Sequence, residues 1–143
     1  MHRRQLIKTS CRFCVLAASG ILVSELASCS PAYQVIRTDV VNNEIRIPVL
    51  GFAPSGLLFI RPKGWYYDIA VQKKPNNSYE ALLLQCTHQS NQLTPTGNGY
   101  TCNLHGSQFN PDGRVIKGPA EISLKKYPVA VENEILIIRI HQS

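Results

Sequence analysis

Charge is scarce in this chain, aromatic residues are few, and long apolar runs are missing. Only 17% of its 143 residues are Lys, Arg, Asp or Glu, too few for a solvated coiled coil. The 44% hydrophobic content is in turn too high for a disordered tail. Glycine and proline, nine of each, stay near ordinary usage, which excludes a collagen-like chain. No apolar run reaches the roughly 18–20 residues of a membrane-spanning helix, so a polytopic membrane protein is excluded. Internal repeats and low-complexity segments are absent. The net charge of +6 carries no nucleic-acid message. About half of the excess sits in the first 28 residues, and basic and aromatic residues do not interleave.

What is present is five cysteines, at 11, 14, 29, 86 and 102, an odd count that needs an account of each. The first three lie in a segment that reads as an address. Arg3-Arg4-Gln5-Leu6-Ile7-Lys8 resembles a twin-arginine export signal. The apolar stretch from Phe13 to Val23 suits a signal core and is too short for an uncleaved anchor. Leu26-Ala27-Ser28-Cys29 resembles a bacterial lipobox, although Ser28 stands where Gly or Ala is usual and Glu25 crowds the apolar core. Residues 1–28 are therefore expected to be a signal peptide and 29–34 a tether carrying lipid on Cys29. Two or more acyl chains suffice for stable anchoring, so the expected location is the bacterial cell envelope, facing periplasm or exterior. Cys11 and Cys14 form a C-x-x-C inside the removed segment and are assigned no function.

Beyond the tether the pattern is all-β. No stretch of eleven or more residues shows a convincing helical period. Short alternating or apolar runs occur at 33–38, 44–48, 57–61, 66–72, 81–85, 127–132 and 135–140. Asn42-Asn43, Pro54-Ser55-Gly56, Lys73–Asn77 and Asn133-Glu134 separate them as turns. The run at 81–85, apolar from Ala81 to Leu84, is expected to be central. Trp65, Tyr66 and Tyr67 are expected to be core and rim.

Two of these runs flank Cys86-Thr87-His88 and, after thirteen intervening residues, Cys102-Asn103-Leu104-His105. His141, near the end of the sequence, reads as a solvated residue. Two cysteines and two histidines hold either one tetrahedral zinc ion or a [2Fe–2S] cluster in which two histidines replace two cysteines on one iron. Zinc sites usually pair like with like, as C-x₂₋₄-C and H-x₃₋₅-H. Here each loop offers one thiolate and one imidazole, which suits two irons side by side.

With CTH at 86–88, CNLHGS at 102–107 and DGRVIKGPA at 112–120, the sequence resembles a Rieske iron–sulfur protein over about 35–140. The resemblance implies three antiparallel sheets, a domain over 35–143 and an inserted cluster-binding subdomain at about 81–120. It implies one [2Fe–2S] cluster, with Cys86 and Cys102 on one iron and His88 and His105 on the other. Ser107 matches a serine that donates to cluster sulfur. Gly106, Leu104 and Pro119 surround the ligands, and Leu93, Leu104 and Pro119 are expected to form an apolar tip around the histidines. The implied function is one-electron transfer, as a carrier to a redox protein partner or as the small subunit of a quinol-oxidising or other oxidoreductase complex. The chain itself offers no catalytic site and no spare histidines for a mononuclear iron. A zinc-binding structural lipoprotein is the alternative from a different class.

Two departures stand out. Respiratory members carry a disulfide across the two cluster loops; the matching positions here are Asn91 and Leu104, so it cannot form. Phe109 stands where high-potential members have a tyrosine. A hydrogen bond to a charged group is worth about 1.5–3 kcal/mol, which for one electron corresponds to roughly 60–130 mV. The reduction potential is therefore expected below the top of the Rieske range, and Phe109→Tyr is expected to raise it by up to that amount in redox titration. An unchanged or lower potential in that variant would remove the argument.

Overall fold

The computed structural model describes residues 33–52 and 54–140. The expected signal peptide, Cys11, Cys14, the lipid site Cys29, most of the tether and His141 lie outside the described residues. Among the described residues no helix is long and apolar enough to cross a membrane.

The strands are β1 (Val35–Thr38), β2 (Glu44–Pro48), β3 (Leu57–Pro62), β4 (Ile69–Lys73), β5 (Tyr79–Leu83) and β6 (Thr94–Thr96). They continue as β7 (Gly99–Thr101), β8 (Gln108–Phe109), β9 (Val115–Lys117), β10 (Lys126–Tyr127), β11 (Val129–Glu132) and β12 (Ile135–Arg139). Among the described residues they make three sheets, as the resemblance implies: β1-β3-β4-β5-β10, β11-β12-β2 and β6-β7-β8-β9. One pairing departs from expectation. β1 runs parallel to β3 at the sheet edge, with Val35 opposite Phe59.

The five-stranded sheet is buried on both faces, which is why its strands read as continuous apolar runs rather than as alternation. Leu58 pairs with Val71 and Ile60 with Ile69. Ile69 in turn pairs with Leu83, and Val71 with Ala81. This face packs on Ile45, Ile47, Leu136 and Ile138 of the three-stranded sheet. Phe59, Ala70 and Leu82 alternate with these residues and point the other way, packing on Leu93, Tyr100, Phe109 and Leu124. The chain leaves this sheet after Leu83 and rejoins it at Lys126, which pairs with Leu82. Everything between is an insert that covers the second face.

Several boundaries shift for local reasons. The run expected at 66–72 becomes extended only from Ile69. The run expected at 127–132 is broken at Pro128: Tyr127 pairs with Ala81 in the large sheet, whereas Val129 pairs with Ile138 in the small one. The hairpin through Asn133-Glu134 forms as expected, both residues taking positive φ. Trp65 and Tyr67 pack on the core while Tyr66 is exposed. The short strands β6 to β9 are too brief to show a period in the sequence. Gly99 is required in β7, since a Cβ there would collide with the Phe109 carbonyl oxygen.

One buried charge ties the base to the insert. Asp68 is 0% exposed. Its carboxylate accepts Arg61 Nε at 2.6 Å, Arg61 Nη2 at 3.0 Å and the Tyr33 hydroxyl at 3.1 Å. Its backbone N–H donates to Gln92 Oε1 at 3.0 Å, and Gln92 Nε2 approaches Oδ2 at 3.3 Å. Removing one partner of a buried pair leaves the other uncompensated. Asp68→Ala is expected to destabilise the fold by about 2–4 kcal/mol in urea unfolding, below the fully buried range because Arg61 retains solvent contact. A loss under about 1 kcal/mol, the worth of a surface pair, would show the network to be passive.

Candidate metal centre

The two motif loops face each other at the outer end of the insert, each closed by its own backbone. In the first, Cys86 N–H donates to Asn91 O at 2.8 Å, and Leu93 N–H returns to Leu84 O. Tyr67 OH donates to Ser90 O at 3.1 Å and Gln85 Nε2 to Ser90 Oγ at 2.8 Å, pinning the loop tip. In the second, Gly106 N–H donates to Cys102 O at 2.9 Å and Cys102 N–H to Ser107 O at 2.8 Å. Gly106 takes φ +77°, a conformation that favours glycine. Asn103 Nδ2 donates to Thr94 Oγ1 at 2.9 Å, tying this loop to β6.

A third segment, 118–122, binds both loops. Ala120 N–H donates to Ser107 Oγ at 3.0 Å, and Thr87 Oγ1 donates to Ile122 O at 2.6 Å. Ser107 is fully buried. Its oxygen accepts from Ala120, and its hydroxyl proton remains to be donated elsewhere.

The four donors fall into two pairs. Cys86 and Cys102 are free thiols, 3% and 1% exposed, within the core beneath the loops. His88 and His105 are exposed, their rings 5.2 Å apart at 85°. Burial pushes the Cys102 thiol up. The backbone N–H groups of Leu104 and His105, with the Cys86 thiol and the Asn91 amide, outweigh it and hold this thiol below its ordinary value. Tyr100, in the same core, is pushed up to about 12 by burial and by the Glu80 and Asp112 carboxylates. It is a neutral phenol at any ordinary pH.

Among the described residues no three His, Cys, Asp or Glu side chains converge as one metal-chelating group. Two thiols on one side and two imidazoles on the other fit two irons better than a single ion. Cys86 and Cys102 would hold one iron and His88 and His105 the other. The thiolates would supply the soft ligands that iron–sulfur clusters require.

The structure thus brings the four residues proposed from the motifs together as two pairs, Cys86 with Cys102 and His88 with His105, with Gly106 and Ser107 in the second loop. Leu104 is 55% exposed next to His105, and Pro119 is exposed, adjoining Ala120 on the third segment. Leu93 is a correction: it is 0% exposed and belongs to the core under the insert, so it forms no part of an apolar tip. The residue after it begins β6, and its own side chain fills the space against the large sheet. Thr87, Gln92 and Asp68 were missed as supports of the loops. Nothing in the local sequence marks them, because the Thr87–Ile122 and Asp68–Gln92 contacts by which they hold the loops span 24 or more residues.

Fold and site together define a small all-β protein with a mixed Cys/His centre at the tip of an inserted sheet. The family model of the Rieske [2Fe-2S] domain matches residues 60–128, and that stretch of the chain is a Rieske domain, whose cofactor is one [2Fe–2S] cluster. The chain is 42% identical over 59 residues to "Cytochrome b6-f complex iron-sulfur subunit 3" of Nostoc sp., a match covering 39% of this chain and 33% of that protein. It thus spans about a third of the length of the curated relatives it matches. In fold it resembles a chain of "Hyperthermophilic respiratory Complex III", with TM-score 0.51, 20% identity, and 92% and 94% of the two chains covered. It also resembles a chain in a complex of reduced oxygenase and oxidised ferredoxin in carbazole 1,9a-dioxygenase, with TM-score 0.53, 18% identity, and 72% and 98% covered.

Ser107→Ala removes the acceptor of a buried N–H. It is expected to destabilise the domain by about 1–3 kcal/mol and to speed hydrogen exchange at the Ala120 amide selectively. An Ala120 amide as protected as in the parent would refute the assignment of that bond.

Proposed function

We propose that this chain is a one-electron transfer protein that works as the iron–sulfur subunit of a membrane-associated oxidoreductase. One observation carries the reading: two buried thiols lie beneath two exposed imidazoles in a Rieske domain. When bound, the cluster supplies reversible acceptance of a single electron. The chain's own residues hold its sulfur-ligated side inside a dry core and leave its histidine side open to a partner. The relatives named as cytochrome b6-f iron–sulfur subunits support a partner of the oxidoreductase class.

The export and anchoring reading rests on the sequence before residue 30. A cofactor inserted in the cytoplasm suits a folded-export route, so Arg3-Arg4 and the lipobox ending at Cys29 belong to one scheme. In it the subunit is held by lipid on the outer side of a bacterial membrane. The positions of the respiratory cross-loop disulfide are occupied by Asn91 and Leu104. Hydrogen bonds and packing then carry the work of holding the loops.

Iron, acid-labile sulfide and zinc analysis with visible absorption tests the reading. About two irons and two sulfides per chain in a brown protein is the expected result. A colourless protein holding one zinc would overturn it.

A further inference from the structure

Asn91 touches both cysteine ligands. Its backbone oxygen accepts the Cys86 N–H at 2.8 Å, closing the first loop. Its side-chain Nδ2 lies 3.8 Å from Cys102 Sγ in the second loop, within hydrogen-bonding reach of a sulfur acceptor, and 3.3 Å from Gln92 O. A carbonyl oxygen and a ligand sulfur are both acceptors. The end of the carboxamide that faces them must therefore be the nitrogen, and its two protons serve the two partners.

The side chain is also held. Gln92, which takes one of those protons on its carbonyl, is clamped by its own amide to Asp68 and to Leu93 O. The order of contacts runs from the buried carboxylate of the base sheet to Gln92, then to Asn91, then to a ligand sulfur. A donor placed beside a metal-bound thiolate favours the more negative state of the centre, and such bonds to sulfur are among the factors that set cluster potentials.

We propose that Asn91 is a positioning residue that donates a hydrogen bond to the Cys102 thiolate, raising the reduction potential of the cluster while joining the two loops. This rests on the cluster reading above. Reduction adds one electron from the partner; no bond is formed or broken at Asn91, and it neither gains nor loses a proton.

The test uses the purified full chain with its cluster, comparing the parent with Asn91→Ala and Asn91→Asp. The aspartate keeps the shape but has no donor at neutral pH and adds negative charge. Both variants should retain two irons and two sulfides per chain and shift to lower midpoint potential in redox titration, with the aspartate lower still. Full cluster content with an unchanged potential in both would overturn the tuning role and leave a brace only. Loss of the cluster from both variants is covered by a measurement on the parent. Protein labelled with ¹⁵N in the asparagine side-chain amide should show a nitrogen hyperfine coupling in the reduced state by electron–nuclear double resonance. No such coupling would overturn the hydrogen bond. A parent that binds no iron or sulfide is a different failure, that of the cluster reading itself.

Discussion

A five-stranded sheet that is apolar on both faces has to be covered twice. The three-stranded sheet covers one face through Ile45, Ile47, Leu136 and Ile138. The insert covers the other through Leu93, Tyr100, Phe109 and Leu124. Each buried side chain of this size contributes about 1.5–3 kcal/mol relative to exposure, so neither face is stable bare. The insert is thus part of the core rather than an appendage. Cys86 and Cys102 belong to that same second core, and packing which stabilises the sheet also dries the thiolate side of the centre.

Packing alone does not orient two loops of five or six residues. The polar contacts do this, and most of them are long-range. Thr87 reaches Ile122, Ser107 receives Ala120, and Asp68 fixes Gln92 beside Asn91. One exposed pair adds a weaker clasp between sheet and insert, Lys74 with Asp112 at 2.6 Å, while Lys126 and Glu80, also 2.6 Å apart, join two neighbouring strands of the sheet itself. In water such pairs contribute little each. The buried Asp68 set differs because its members cannot be solvated separately. It links the edge of the base, through Tyr33, to the first cluster loop.

Much of the fold was legible because its signals are local. Apolar runs at 44–48, 57–61 and 135–140, and positive-φ turns at Asn42-Asn43 and Asn133-Glu134, depend on neighbours in sequence, whereas the strand expected at 81–85 lies two residues earlier, at Tyr79–Leu83. The strands of the insert were not legible. They have two or three residues each, and their pairing is enforced by closure of the cluster loops rather than by period. Pro128 looked like the middle of one strand because either side is strand-like; only the covering of two different sheets divides it.

The chemistry of the centre was determined by sequence alone. Two thiols and two imidazoles at C-x-H and C-x₂-H spacing restrict the ligand set whatever the surrounding structure. Tertiary structure decided which donors are dry and which face outward, and that Leu93 is core while Leu104 is surface. It also placed the amide of Asn91 beside the sulfur of Cys102. Donor identity is a property of residue type. Burial and hydrogen-bond partnership arise only when segments distant along the chain share a core.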